Sequence, residues 1–533
     1  MFPKRRPSRL LSALLLFPLA LASILVTGSV PAAHADDPYL PITGTGSTWS
    51  QGAIDQWKST VANNNGMTVN YSGVGSSAGR RDFLNGTVDF AVSEIPFQAN
   101  PQDGSTAEVP TTGFAYMPIV AGGTAFMYNL KIGGKRVTNL RLSGETVTKI
   151  FTGAITNWND LAIKSDNPGL AMPDKAIVPV VRSDGSGSTA QFTLWMSKQF
   201  PSLWSSFCGC SGLTSQYPSF ANSKAQAGSD GVSGYVSQDY GDGAITYVEY
   251  SYAVKAGFPV AKVLNSAGYY IEPTAPSVAV ALLQAQINND PNSKDYLTQI
   301  LDGVYNNADP RTYPLSSYSY MIVPTQVAGI FTPEKGRTLG AFARYILCEG
   351  QQTATPLGYS PLPLNLVLAA SDQIKRIPGA GSAGVDLSSC NNPTLKPGDS
   401  PGSNLLAQTA PQPADCDKKG PNQCTTCTAG AVQETPVSGT GNGGSAAGAS
   451  NSATGGGSSN SGGAAVYDEN GALVGGSGLN GAVAVSSPFT LRDPGFGPQQ
   501  WVMVLAVLLL LAGILLPPLV SRRLKGTGRP PRP

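Results

Sequence analysis

The sequence predicts an α/β fold for residues 40–385. Three clusters of Gly, Ser and Thr each open a helix-like segment, and two of them directly follow a strand-like apolar run. A further short apolar run delivers a carboxylate at its C-terminal end. Strand, glycine-rich loop, helix is the arrangement that exposes backbone N–H groups at a helix start.

The first cluster is Gly44-Thr45-Gly46-Ser47-Thr48-Trp49. Trp49, Ala53, Trp57 and Val61 then recur at every fourth position, which predicts an amphipathic helix capped by Ser47 or Thr48. Residues 67–71 read as a strand. The second cluster follows, Gly73-Val74-Gly75-Ser76-Ser77-Ala78-Gly79, and opens a short helix that carries Phe83 and Leu84 and stops at Asn85-Gly86. Residues 88–93 form another strand, ending at Glu94, where ligands lie in open α/β sheets. The third cluster, Arg182-Ser183-Asp184-Gly185-Ser186-Gly187-Ser188-Thr189, stands between a strand at 176–181 and a helix with Phe192, Trp195 and Met196 on one side.

An Arg guanidinium, hydroxyls and helix N-terminal N–H groups all point donors at negative oxygen, so the third cluster reads as a site for a small tetrahedral oxyanion. The second cluster also fits the dinucleotide pattern G-x-G-x-x-[GA], with Glu94 downstream. That reading leaves the other two clusters unexplained. Ordinary turn-and-cap chemistry would account for all three clusters without a ligand.

Both ends of the chain carry targeting signals. Lys4, Arg5, Arg6 and Arg9 precede an apolar run at 10–26 and a small-x-small site, Ala33-His34-Ala35, so residues 1–35 read as a secretory signal peptide. Residues 501–520 contain no charge and are numerous enough to cross a hydrocarbon core of about 30 Å. Arg522, Arg523, Lys525, Arg529 and Arg532 follow, which places a tail at 521–533 in the cytoplasm and the rest outside. Of the 35 Lys and Arg, four precede the first apolar run and five follow the second; the remaining 26 face 33 Asp and Glu, about −7 for the exported portion. A nucleic-acid partner is not expected of such a surface.

The single histidine, His34, lies in the signal peptide, which excludes a Ser-His-Asp or Cys-His hydrolase and a His-ligated metal centre. No enzyme activity, metal or cofactor is expected. Seven cysteines, Cys208, Cys210, Cys348, Cys390, Cys416, Cys424 and Cys427, predict disulfides with one thiol left over. The last three could form a local staple; a zinc knuckle lacks a fourth ligand nearby. The pairing stays open.

Composition shifts near Asn391. Residues 391–430 are rich in Pro, Gln and Cys, 438–463 are almost entirely Gly, Ser, Ala, Asn and Thr, and 466–491 could form a hairpin or nothing stable. A low-complexity linker is therefore expected over 391–500, after a folded domain at 36–390.

From Thr43 to Leu387 the chain resembles the phosphate-binding proteins of Pst-type ABC importers. Besides the three clusters, the resemblance rests on Gly86-Thr87-Val88-Asp89-Phe90, on Phe151-Thr152-Gly153-Ala154-Ile155-Thr156-Asn157-Trp158-Asn159-Asp160 and on Gly243-Ala244-Ile245-Thr246-Tyr247-Val248-Glu249-Tyr250. It implies a type II periplasmic-binding-protein fold with lobes at 40–118 plus 312–385 and at 119–311, and a desolvated anion in the cleft between them. It also implies phosphate as ligand and ABC permease subunits as partners. The long tether and anchor raise an alternative, a membrane-tethered phosphate sensor or scavenger without its own permease.

Carried over by position, the resemblance implies Thr48, Trp49 through its backbone N–H, Ser76, Arg182, Ser186, Gly187 and Ser188 as phosphate ligands, with Asp184 orienting Arg182. Glu94 stands where the family usually has Asp. That carboxylate accepts the proton of monohydrogen phosphate and disfavours sulfate, which has none to give. Glu is one methylene longer, so the cleft must widen or the side chain must fold back.

Overall fold

The computed structural model describes residues 39–396, 399–400 and 402–432, together with two short strands further on, Val466–Tyr467 and Leu473–Gly475. The expected signal peptide, transmembrane span 501–520 and basic tail lie outside the described residues. Among the described residues no helix is long and apolar enough to cross a membrane. By its contacts the chain divides into two units, Met1–Gly444 and Ser445–Pro533. The described part of the second is the antiparallel pairing of its two short strands.

The first unit is built on one mixed sheet. Its first half holds β1 (Ile42–Gly46), β2 (Val69–Gly73) and β3 (Phe90–Ser93), mutually parallel in the order β2–β1–β3. Crossovers by α1 (Gln51–Asn65) and α2 (Ser76–Leu84) connect them, as parallel neighbours require. The long strand β4 (Phe114–Tyr128) leads into the second half. There β5 (Val178–Arg182), β6 (Lys224–Gln226), β7 (Ala244–Glu249) and β8 (Val260–Leu264) alternate with α3 (Gly187–Gln199), α4 (Gly228–Ser237) and α5 (Tyr250–Ala256). The chain then returns through β9 (Ser316–Pro324), antiparallel to both β3 and β4, and closes with α6 (Pro333–Leu347).

The strand β4 joins the halves. It pairs with β9 from Phe114 to Gly123 and with β7 from Thr124 onward, so the change of partner falls at Gly123/Thr124. In the first half Trp57, Val61, Phe90, Met321 and Phe342 are fully buried. In the second, Phe126, Phe151, Phe192 and Tyr247 pack together with centroids 4.9–5.9 Å apart; Phe126–Phe192, Phe151–Phe192 and Phe151–Tyr247 meet edge to face, a preferred geometry of aromatic pairs.

Two features differ from the sequence reading. The first helix starts at Gln51, not at Ser47 or Thr48. Ser47 does accept the N–H of Ser50 at 3.2 Å, but the capped residues form a tight turn ahead of the helix. The linker expected from 391 is also folded in its first part. Arg141 donates to the carbonyls of Cys416 (3.1 Å) and Asn422 (2.8 Å), Lys262 pairs with Asp417 at 2.8 Å, and Thr428 Oγ1 bonds both backbone groups of Val260. Composition misses this because the segment has no apolar period of its own; its partners are distant in sequence, Leu347 and Leu362 for residues 392–394 and the second half for the contacts of 416–428. A Cys416–Cys424 disulfide staples it, beside Cys348–Cys390 and Cys208–Cys210, and Cys427 is free.

Candidate functional site

Four helix starts converge between the two halves: the turn before α1 and the N-termini of α2, α3 and α4. The turn at 47–50 is pinned through its acceptors. Tyr71 donates to Ser47 O at 2.8 Å, Tyr252 to Thr48 O, and Tyr359 to Trp49 O at 2.7 Å. Ser47 N–H is bonded to Val92 O at 2.9 Å and Ser50 N–H to Ser47 Oγ at 3.2 Å, so with all three carbonyls held by tyrosines the N–H groups of Thr48 and Trp49 are those left for a ligand. The Trp49 indole itself is buried against Gly122 and lies edge-on to Tyr359 at 5.7 Å. Thr48 reaches the second half, where its Oγ1 accepts the N–H of Ser229 at 3.1 Å, in the first turn of α4.

The third cluster forms the opposite wall. Arg182 is buried at the end of β5, and its Nε and Nη2 both donate to Asp184. Asp184 also accepts the N–H of Gly228 at 2.9 Å. Burial pushes the Asp184 carboxyl up, but the Arg182 bonds and charge and the Gly228 N–H outweigh it and hold it below its ordinary value. The guanidinium is thereby fixed by one edge, and Nη1 stays free of that pairing. Tyr247 backs the loop: its hydroxyl accepts from Arg182 N at 3.3 Å and bonds Thr189 Oγ1 at 2.7 Å, and burial pushes its pKa up to about 12.

At α3 the capping is explicit. Ser186 Oγ accepts the N–H of Thr189 at 3.1 Å and Ser186 O that of Ala190 at 3.0 Å. The N–H groups of Gly187 and Ser188 precede Ala190 N, the first intrahelical donor, and have no partner within the helix. The Ser188 hydroxyl is buried without a hydrogen bond. A buried polar atom left in that state is costly unless something else meets it.

Glu94 lies against this helix start. Its Oε2 accepts from Ser76 Oγ at 2.7 Å, and a Cβ built on Gly187 would lie 2.0 Å from the same oxygen. Ser76, Glu94 and Gly187 are thus brought together. Arg182 and Asp184 form the neighbouring pair, packed on Gly75, and Thr48 stands beside Gly228, which is bonded to Asp184. The longer side chain is accommodated by folding its other oxygen, Oε1, among Ser47, Ser50 and Ser319.

A profile described as the PBP superfamily domain matches residues 31–349. The phosphate-binding protein PstS of Xylella fastidiosa strain Temecula1 is 32% identical over 339 residues, covering 64% of this chain and 86% of that protein. The PstS of Pasteurella multocida is 32% identical over 337 residues, covering 63% of this chain and 90% of its own length. PstS 2 of Mycobacterium tuberculosis is 31% identical over 324 residues, or 60% and 82%. The chain belongs to the PstS family.

Several groups of this candidate site escaped the sequence reading. Ser229 was in principle visible, because Ala227-Gly228-Ser229 is a fourth Gly/Ser start between a strand and a helix. Ser319 was not: it lies 225 residues from Glu94 on a strand with no glycine or charge to mark it. Asp103 was not either. From the loop after β3 it accepts from Thr214 Oγ1 (3.2 Å), Ser215 N (3.1 Å) and Gln216 N (3.2 Å) on the second half, and Ser215 O in turn holds Ser186 N at 2.9 Å.

Proposed function

We propose that this chain binds inorganic phosphate outside the cytoplasm and delivers it to an ABC phosphate importer. One observation carries the reading. A helix start with unused donors lies against the buried carboxylate of Glu94, and the buried guanidinium of Arg182, gripped along one edge by Asp184, stands at the end of the strand that leads into that helix. Many donors with one acceptor complement monohydrogen phosphate, which brings several anionic oxygens and one O–H. Phosphate binding is also what the names of the PstS relatives state of those proteins.

In this reading Thr48 and Trp49 supply N–H groups, with the Thr48 hydroxyl beside them. Ser76, Ser186 and Ser188 supply hydroxyls, and Gly187 and Ser188 supply the α3 N–H groups. Arg182 donates through the edge that Asp184 does not occupy, and Glu94 accepts the ligand proton. Residues 36–390 are the binding domain in two lobes. Residues 501–520 anchor the chain with 521–533 in the cytoplasm, so the site stays tethered at the outer face. The chain performs no chemistry on its ligand.

Calorimetry on the full-length chain in detergent tests this. Phosphate should bind one-to-one and sulfate far more weakly. Equal affinity for the two anions would remove Glu94 as the discriminating acceptor, and no phosphate binding at all would remove the function.

A further inference from the structure

Glu94 is held by more than the ligand wall. Its Oε1 accepts from Ser47 Oγ and from Ser319 Oγ at 2.8 Å, while Ser50 Oγ lies 3.4 Å from Oε1 and gives its one proton to Ser319 at 2.7 Å. These serines come from two distant segments, the turn before α1 and the returning strand β9, and each is fully buried. Oε2 meets Ser76 and the backbone of Gly187 instead. The two oxygens of one carboxylate therefore have separate surroundings.

The backbone has a specific device at Ser319. Up to Ser319, β9 pairs residue for residue with β4, Ser319 opposite Val120; the next residue, Tyr320, stands opposite Pro118. Ile119 is the extra residue of a β-bulge. Pro118 has no N–H to give the ladder, which is where central strands break register. The Ile119 carbonyl is taken by Gln351 Nε2 at 2.8 Å. Bulges bend a strand locally and re-aim side chains beside functional sites, and this one coincides with the residue that reaches Glu94.

We propose that Ser47 and Ser319, the latter backed by Ser50, are specificity-determining residues that clamp Oε1 of Glu94, so that Oε2 is a single, fixed acceptor facing the bound anion. This rests on the phosphate-binding reading above. An acceptor excludes sulfate only if it cannot turn away from an oxygen that brings no proton. A glutamate has one more rotatable bond than an aspartate and could swing aside. Swinging aside would leave the Ser47 and Ser319 hydroxyls, the latter backed by Ser50, without their acceptor in a dry interior, which is unfavourable. The clamp supplies the rigidity that the longer side chain lacks.

The test is the ratio of phosphate to sulfate affinity, measured by titration calorimetry on the full-length chain. Ser47→Ala and Ser319→Ala should each narrow that ratio by about tenfold, the scale of one hydrogen bond to a charged group, with sulfate gaining. In a Glu94→Gln background, where the charged acceptor is gone, neither change should alter the ratio further. A purely structural role would lower the unfolding temperature without this dependence on residue 94. Should Ser319→Ala fail to fold, Ser47→Ala reads the same oxygen from the other segment. Folded variants that keep the parent ratio overturn the clamp while leaving phosphate binding intact. A parent that binds no phosphate overturns the functional reading, and the clamp with it.

Discussion

Gly187 and Glu94 face each other across the two halves with no room for a side chain on the glycine: a Cβ there would lie 2.0 Å from Glu94 Oε2 and 2.8 Å from Ser76 Oγ. The start of α3 and the end of β3 can approach this closely only because position 187 is glycine. Gly187→Ala should therefore oppose closure more than folding, since the clash lies between the halves and not inside either core. Phosphate affinity should fall by roughly 5- to 150-fold, the scale of about 1–3 kcal/mol for overpacking, with little change in unfolding temperature. Unchanged affinity in calorimetry would mean that ligand is bound with the halves further apart than in this structure.

Arg182 is gripped along one edge by Asp184, so its remaining donors have a fixed direction. Arg182→Ala would leave a dianion short of charged donors in a buried site, a loss of about 2–5 kcal/mol in phosphate binding by the scale of truncated buried charge pairs. Arg182→Lys should recover little of it, because an ammonium cannot bond Asp184 along one edge and the ligand along another. Lysine binding phosphate as tightly as arginine in the same titration would show that the fork plays no part.

Much of this site was legible in the sequence because its parts are local. A helix start with Ser, Gly and Thr advertises its donors in consecutive residues, and Arg182 and Asp184 are two positions apart. The strand after the second cluster placed Glu94 at a strand's C-terminal end, where ligands lie in open α/β sheets. What stayed hidden is long-range. The serines on Oε1 of Glu94, the tyrosines on the carbonyls of residues 47–49 and the Asp103 contacts all join segments that no spacing rule connects. The folded part of residues 391–432 was hidden for a related reason: it buries little of its own and relies on distant partners, Leu347 and Leu362 at its start and Arg141, Lys262 and Val260 of the second half further on.

Asp103 bridges the halves through three donors on residues 214–216, next to the Ser215 carbonyl that holds Ser186 N. Burial pushes its carboxyl up, but the Ser105, Gln216 and Ser215 bonds outweigh that and hold it below the ordinary value. Asp103→Ala should release phosphate faster, by roughly threefold to tenfold for the loss of a partly exposed set of hydrogen bonds, with a smaller change in the association rate. Stopped-flow displacement would separate the two; a variant slowed only in association would show that the contact forms before the anion arrives.

Glu249 gives a pH signature. It caps α5, accepting the N–H of Ser251 at 2.6 Å, while Oε1 is buried beside Trp49 and Gly122 with no hydrogen bond. Burial raises its pKa well above the ordinary 4.5, more than the Ser251 and Tyr250 bonds lower it. A carboxyl whose folded value is raised favours folding while protonated, so its contribution is full below the unfolded value and is lost as pH rises above it. Glu249→Gln keeps the cap oxygen and removes the titration. The variant should gain stability over the parent as pH rises from about 4 towards neutrality, and the two should converge at the acid end. Denaturation curves at several pH values check this, and a constant difference between the two proteins would mean that Glu249 keeps its ordinary titration in the fold.

The segment at 402–432 should contribute to stability although its composition reads as a linker. Lys262 and Asp417 form a buried pair, so cutting the chain before 402 would leave Lys262 without its carboxylate and Arg141 without the carbonyls of Cys416 and Asn422. Removing one partner of a buried pair costs about 3–5 kcal/mol. A protein ending at 396 should therefore unfold at a clearly lower temperature than one ending at 432, while one ending at 432 should match the full chain in the stability of its binding domain. Opening only the Cys416–Cys424 staple, by Cys416→Ser with Cys424→Ser, should give a smaller loss, since the disulfide closes a short loop. Equal unfolding temperatures for the 396 and 432 proteins would show that the segment rests on the second half without supporting it.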